Sequence, residues 1–407
     1  MSGQAAGRNR TRQVRALAAA VAICLGAASA GAQTTAAPQR SVQDILGFLV
    51  TNVGVQTSNA AADRAAATAT FTTLTRALLA SMTTLPVGTS AGGFTYRFNP
   101  ALGTPERASD TFGPFFVERA LTSGSGQATL GVSFQYASYT SLDGRNLQNG
   151  TLVTVADQFV DEAQPFDTES LTLNINRRTA TFFGNVGVSD RVDIGVAVPV
   201  VELNVNGTRV NNYRGLTAST ATATATTMGL ADIAVRSKVR LTPDGPGAVS
   251  AGIEARLPTG REQDLLGAGS LAMTFMGLAS YETGPAGVYG NFAVGAGGIG
   301  REISYGAAAS FAATPRVTVT GEFLARRVNG IESIGEVLAP HPTISGVDTI
   351  RLAPTGINRT SAFAVGGIKW NVGSLWLLHA NVLMPLSDAG LTARFTPTVA
   401  LDYSFAR

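Results

Sequence analysis

The 407-residue chain has one cysteine, two histidines and two tryptophans. A lone cysteine rules out an internal disulfide and a thiolate-bound zinc cluster. It is Cys24, preceded by Ile23 where a lipoprotein signal carries a small residue, so no lipid anchor is expected either. His341 and His379 stand in no metal-ligand spacing, and no serine beside His379 and Asn381 completes the serine-histidine arrangement of a lipid hydrolase. The glycine-rich run from Gly295 to Gly300 lacks the Gly-Lys-Ser/Thr of a phosphate loop. Glu262 and Asp264 could meet a calcium ion at a rim, but such acids are more often simply solvated. Catalysis, a metal and a cofactor are therefore not expected. Long apolar runs are missing as well: none reaches about 18 residues, which excludes a membrane-crossing helix and leaves a closed barrel as the one way into a bilayer.

What is present begins with Arg8, Arg10, Arg12 and Arg15, then an uncharged stretch from Ala16 to Ala30 and the small residues Gly31 and Ala32. This is the pattern of a secretory signal over residues 1–32, with cleavage expected after Ala32 and the bond after Ala30 as the alternative. Losing those four arginines takes the basic count from 30 to 26 against 27 acidic residues, a net charge of about −1. The basic balance thus belongs to the precursor, and nucleic acid is not an expected partner.

Residues 33–125 precede the strands. Ser41-Val-Gln-Asp44 reads as a capped helix start, after which Val42, Ile45, Leu46 and Leu49 share one face. A second helix is predicted from Asn59 to Met82, with Phe71, Leu74 and Leu78 on one side and Pro86 ending it. Apolar faces on both imply that they bury against something. A plug in a lumen, a periplasmic cap and a spacer all remain open readings.

From Gly126 the chain alternates in stretches of roughly ten residues, the length of a tilted strand crossing a bilayer. Twelve are predicted: 126–139, 170–187, 192–204, 230–241, 248–257, 270–281, 288–297, 302–312, 317–328, 361–371, 374–385 and 393–405. The last is the clearest, with Val399, Leu401, Tyr403 and Phe405 on one face and Ala400, Asp402, Ser404 and Ala406 on the other. Short connections such as 188–191, 242–247, 282–287 and 314–316 alternate with long ones at 140–169, 205–229, 258–269 and 329–360. The low-complexity run Ser219–Thr227 is expected to be a mobile surface loop. Alternating short turns and long loops, with an even strand count, indicate an all-β fold. It is a transmembrane antiparallel up-and-down β-barrel of about twelve strands over 126–407, with a helical N-terminal extension, in the outer membrane of a Gram-negative-type bacterium.

The strand faces supply the candidate site. Arg236, Lys238 and Arg240 alternate with Val235, Val239 and Leu241, and three cations on one face cannot look at lipid, where each costs about 2–4 kcal/mol near the midplane. Glu254 and Arg256, Glu322 and Arg326, and His379 and Asn381 extend this inner polar set. It reads either as a constriction selecting solutes by charge or as cross-strand ion pairs, such as Arg236 or Lys238 with Glu254, that hold a narrow barrel closed. Lys369 should point inward, which puts Phe363 and Val365 inside too unless Gly366-Gly367 marks a bulge.

The phrases Ser189-Asp-Arg-Val-Asp-Ile-Gly-Val-Ala-Val-Pro199, Gly229-Leu-Ala-Asp-Ile-Ala-Val-Arg236, Thr314-Pro-Arg-Val-Thr-Val319 and Ala380-Asn-Val-Leu-Met-Pro-Leu-Ser-Asp-Ala-Gly-Leu391 resemble bacterial outer-membrane barrels, nearest the transporter family of the phenol meta-degradation pathway, over most of 95–405. In addition, Asn99-Pro100-Ala101 is similar to the Asn-Pro-Ala motif in the luminal hatch of long-chain fatty-acid channels. The expected role is a passive pore or uptake channel, for which the family resemblance implies small hydrophobic or aromatic solutes; outer-membrane lipid and that solute are the expected partners, with monomer and oligomer both open. The alternative is a closed barrel with a structural, adhesive or receptor role through 140–169 and 329–360.

Overall fold

The computed structural model describes residues 40–405 apart from 52–59, 85–87, 90–92, 100–103, 244, 342 and 374. The signal sequence expected over 1–32 lies outside the described residues. Twelve strands form the barrel wall: β1 (Ala128–Leu142), β2 (Asp167–Ser189), β3 (Val192–Tyr213), β4 (Ile233–Arg240), β5 (Gly247–Leu257), β6 (Ala272–Thr283), β7 (Ala286–Gly297), β8 (Arg301–Thr314), β9 (Val317–Pro340), β10 (Val347–Gly373), β11 (Trp376–Pro385) and β12 (Thr396–Phe405). Each pairs antiparallel with the next, and β12 closes on β1 with Leu401 opposite Val132.

The alternation of the sequence becomes two surfaces. Every strand exposes apolar side chains outward, among them Leu130, Phe182, Ile194, Val235, Val249, Phe275, Phe292, Phe311, Phe323, Ile368, Met384 and Val399. A continuous apolar girdle of this kind is costly in water and matched by acyl chains. At the end with short turns, Trp376, Tyr403 and Phe405 stack with centroid separations of 4.7 and 4.9 Å, placing amphipathic rings where a bilayer meets water.

At the opposite end the long connections are not loops. Strands β2, β3, β9 and β10 run 23, 22, 24 and 27 residues, far beyond the roughly 9–11 a bilayer requires. The stretch Ser219–Thr227, expected to be mobile, is instead part of an accessory strand, Leu216–Leu230, paired with the outer half of β3. Its Thr-Ala alternation has the period of two of a strand and supplies a β-branched residue at every second position. A second accessory strand, Leu152–Phe159, bridges the extensions of β2 and β10. The register through Phe363–Asn371 is unbroken against both neighbours, so no bulge turns Lys369 away from Phe363 and Val365, and all three share the inner face.

Two helices lie against the inner wall of the extended end: α1 (Val42–Thr51) and α2 (Ala60–Thr83). A reciprocal cap starts α1, the Asp44 N–H donating to Ser41 Oγ at 3.1 Å and the Ser41 N–H to Asp44 Oδ2 at 3.0 Å. Its apolar face, Val42, Ile45, Leu46 and Leu49, packs with Leu74 and Leu78 of α2 and with Leu171, Leu173, Leu203 and Val205 of β2 and β3. Leu49 reaches the wall at Gly207, where an added Cβ would stand 2.2 Å from Leu49 Cδ1. Asp264 is not solvated at the rim: it is buried, accepting from the Val42 N–H at 3.3 Å and pairing with Arg261 at 3.0 Å.

Candidate functional site

Between α2 and β1 the chain runs through Thr111-Phe-Gly-Pro-Phe-Phe-Val-Glu-Arg-Ala-Leu-Thr-Ser123. Pro114 has no N–H, Gly113 has a φ of +68°, and no period links the remainder, so this stretch builds no ladder of its own. Its backbone groups are nevertheless buried. The partners come from the inward-facing charges of the barrel.

Glu322 on β9 accepts the N–H groups of Phe115, Phe116 and Val117, the last two at 3.0 and 2.9 Å. Lys369 on β10 donates to the carbonyls of Phe112 at 3.2 Å and Pro114 at 2.7 Å, with its ammonium 5.2 Å from the Phe115 ring centroid. Across the lumen, Lys238 on β4 donates to the carbonyls of Arg119 at 3.0 Å and Leu121 at 2.8 Å and stands 3.6 Å from Asp193 on β3. Asp193 in turn accepts the Ser123 N–H. Arg119 pairs with Glu282 of β6 at 2.6 Å, both buried, and Glu282 also takes hydroxyls from Ser109 and Thr111. Irregular backbone at membrane depth is tolerated only when satisfied in this way.

Of the residues singled out from the sequence, Arg236, Glu254 and Arg256 come together. Arg236 bonds Glu254, lies 3.3 Å from Glu118 and donates to the Gly88 carbonyl at 2.6 Å; Arg256 meets Glu254 at 2.7 Å and the Thr83 carbonyl at 2.9 Å. Lys238 does not join Glu254, and Arg240 is buried nearer the short-turn end of β4. His379 bonds Asp402 at 3.1 Å and stacks on Phe115 at 6.0 Å, with Asn381 buried two residues on. Arg326 stands 4.0 Å from Glu302. Asn99 ends a short strand, Tyr96–Asn99, paired with Thr104–Arg107, while Pro100 and Ala101 lie outside the described residues.

Sequence reasoning missed Asp193, Glu282 and Arg119, and the use of Lys369 as a carbonyl ligand. The first two sit at inward positions of their strands by the same parity that exposed Lys238. The signal was the aperiodic, proline-bearing stretch at 111–123, which needed partners from elsewhere.

Two cavities flank the chain where Thr83, Thr84, Gly88 and Thr89 pass residues 115–118. The larger, about 200 Å³, is bounded by β5 to β9 and reaches the glycines at 295–300; the smaller, about 100 Å³, lies toward β1, β11 and β12 beside Lys369, His379 and Asp402. Arg236 and Arg256 line both.

A closed antiparallel barrel with an apolar belt, aromatic interface residues and a charged interior is an outer-membrane β-barrel protein. No protein-family model and no curated protein matches the chain. Similar solved structures include an outer-membrane channel from Pseudomonas putida F1 (TM-score 0.45, 12% identity, covering 70% of this chain and 98% of that one). The transport unit of the autotransporter AIDA-I from Escherichia coli is also similar (0.36, 10%, 69% and 90%), as is the translocator domain of the autotransporter NalP from Neisseria meningitidis (0.34, 11%, 69% and 89%). Similarity at this level transfers no function. The assignment rests on the barrel's own strands and faces.

Proposed function

We propose that the protein is an outer-membrane channel whose lumen is occupied by its own N-terminal segment, residues 33–125 serving as an internal plug to the barrel of 126–407. The observation that carries this reading is the pair of cavities divided by that segment. Small solutes enter the larger chamber from the long-hairpin end and pass on when the segment shifts. A chamber of about 200 Å³ compares with the roughly 150 Å³ that holds one benzene ring in an engineered cavity. Its lining includes the apolar Phe116, Met276, Leu324 and Phe363, which favours hydrophobic or aromatic solutes, as does the resemblance to the phenol meta-degradation transporters. The inner charges then hold the gate rather than sieve ions in a wide pore.

The test is single-barrel conductance of the refolded full-length protein in planar bilayers, wild type beside Asp193→Asn and Lys238→Met. Rare brief openings in the wild type and longer ones in both variants are expected. Silence in all three, with the barrel intact by circular dichroism, would move the weight to a closed barrel acting through its long hairpins.

A further inference from the structure

The larger chamber contains one charged pair that is not joined. Arg236, Glu254 and Arg256 are bonded to one another and to carbonyls of the plug. Asp232 accepts the N–H groups of Gly260 at 3.0 Å and Ala268 at 2.8 Å. Arg326 of β9 and Glu302 of β8 differ: they are 4.0 Å apart, beyond hydrogen-bond reach, and among the described residues neither side chain has a hydrogen-bond partner. The Arg326 Nε is buried without an acceptor. Leaving such a buried donor unmade costs free energy.

We propose that Arg326 and Glu302 form the recognition site for a small apolar molecule bearing a hydroxyl group. A hydroxyl accepts one hydrogen bond and donates another, so its oxygen can take the Arg326 N–H while its proton goes to the Glu302 carboxylate. An oxygen about 2.9 Å from each group is the apex of a triangle that a 4.0 Å base accommodates. A carboxylate suits the place less well, because it meets Glu302 as a like charge and has no proton to give. An alkane or arene leaves both groups unmatched. The body of the ligand lies against Leu324, Phe363, Met276 and Ala293, which line the same chamber. Ser304, the cross-strand partner of Arg326, stands beside the pair. The inference deepens the channel reading and rests on it for the route by which a solute reaches the chamber.

The test is ligand-detected NMR titration of full-length protein in nanodiscs with benzyl alcohol, toluene and benzoate, using empty nanodiscs to subtract partition into lipid. Wild type should prefer benzyl alcohol over toluene by about tenfold or more, the worth of one hydrogen bond to a charged group. Arg326→Met should remove the preference, and Glu302→Gln, which keeps a polar partner in place, should reduce it in part. Equal binding of benzyl alcohol and toluene by wild type, or a preference for benzoate, overturns the proposal. If no probe binds while the Asp193→Asn channel conducts, this site fails and the channel reading stands. A hydroxyl preference in a protein that never conducts leaves the site standing and sinks the channel.

Discussion

Changing Glu322 to glutamine should loosen the N-terminal segment at one point while leaving the strand pairing of the wall intact. The carboxylate takes three N–H groups in a row, from Phe115, Phe116 and Val117. Glutamine keeps one acceptor oxygen and replaces the other with an NH₂ that faces N–H groups as a second donor. With a hydrogen bond to a charged acceptor contributing about 1.5–3 kcal/mol, and one or two of the three lost, the local cost is about 2–4 kcal/mol. At about 1.4 kcal/mol per factor of ten, the ratio of released to seated segment rises roughly 30- to 700-fold. Amide hydrogen exchange at Phe115, Phe116 and Val117 reads that ratio directly, because exchange from a locally opened state tracks its population. Amides of β4 and β12 should keep their protection. Unchanged exchange at the three positions, in a barrel that is folded by circular dichroism, would refute the idea that Glu322 holds the segment. Loss of protection throughout the wall would show that carboxylate and barrel are one cooperative unit, with no separable gate.

Arg119→Ala should destabilise by about 3–5 kcal/mol because it strands the buried Glu282 carboxylate, whereas Arg119→Met with Glu282→Leu should cost far less; urea unfolding in lipid vesicles distinguishes the two. Gly207→Val places carbon where Leu49 now sits and should lower stability by about 1–3 kcal/mol, a loss that Leu49→Ala made together with it should partly reverse in thermal unfolding. Leu401→Arg, on the outward face of the closing strand, should cost about 2–4 kcal/mol in vesicle refolding if that position lies near the midplane. Hydrogen bonds from the Ser41 side chain and backbone hold the Asp44 carboxyl below its usual range. A depressed acid stabilises the fold above its unfolded pKa and loses that effect as pH falls through its folded one. The protection factor of the Ser41 amide, its exchange rate corrected for the intrinsic rate at each pH, should therefore hold at neutral pH and fall only under acid conditions.

The wall was legible because its chemistry is local. One residue in two must meet lipid, so the period of two persists through β4, β5 and β12 whatever the rest of the chain does, and Val239 beside Lys238 already states which side is wet. The extended hairpins were harder: Ser219–Thr227 has the composition of a solvated loop, and its strand character comes from a partner, β3, that runs past the membrane. The grouping in the lumen was partly visible. Arg236 and Glu254 are register partners on neighbouring strands, so their pairing follows from strand alignment. Lys238 and Lys369 bind carbonyls more than a hundred residues away in the chain, and no spacing encodes that. The need for such partners was written in Phe112-Gly-Pro-Phe115; their identity required the fold.

The route of the N-terminal segment has a consequence for how the molecule is made. Among the described residues, α1 lies among the long hairpins, 115–123 pass Glu322 and Asp193, and the chain enters β1 at the short-turn end. A thread lying along the axis of a ring cannot be inserted sideways once the ring is shut. The segment is tethered to β1 at the short-turn end, so it reaches its place either by closure of the β12–β1 seam around it or by threading endwise along the bore. For the same reason the segment cannot leave the finished barrel whole without drawing both helices down the bore. On the channel reading proposed above, opening is a sideways lean of a tethered cord and not the withdrawal of a stopper.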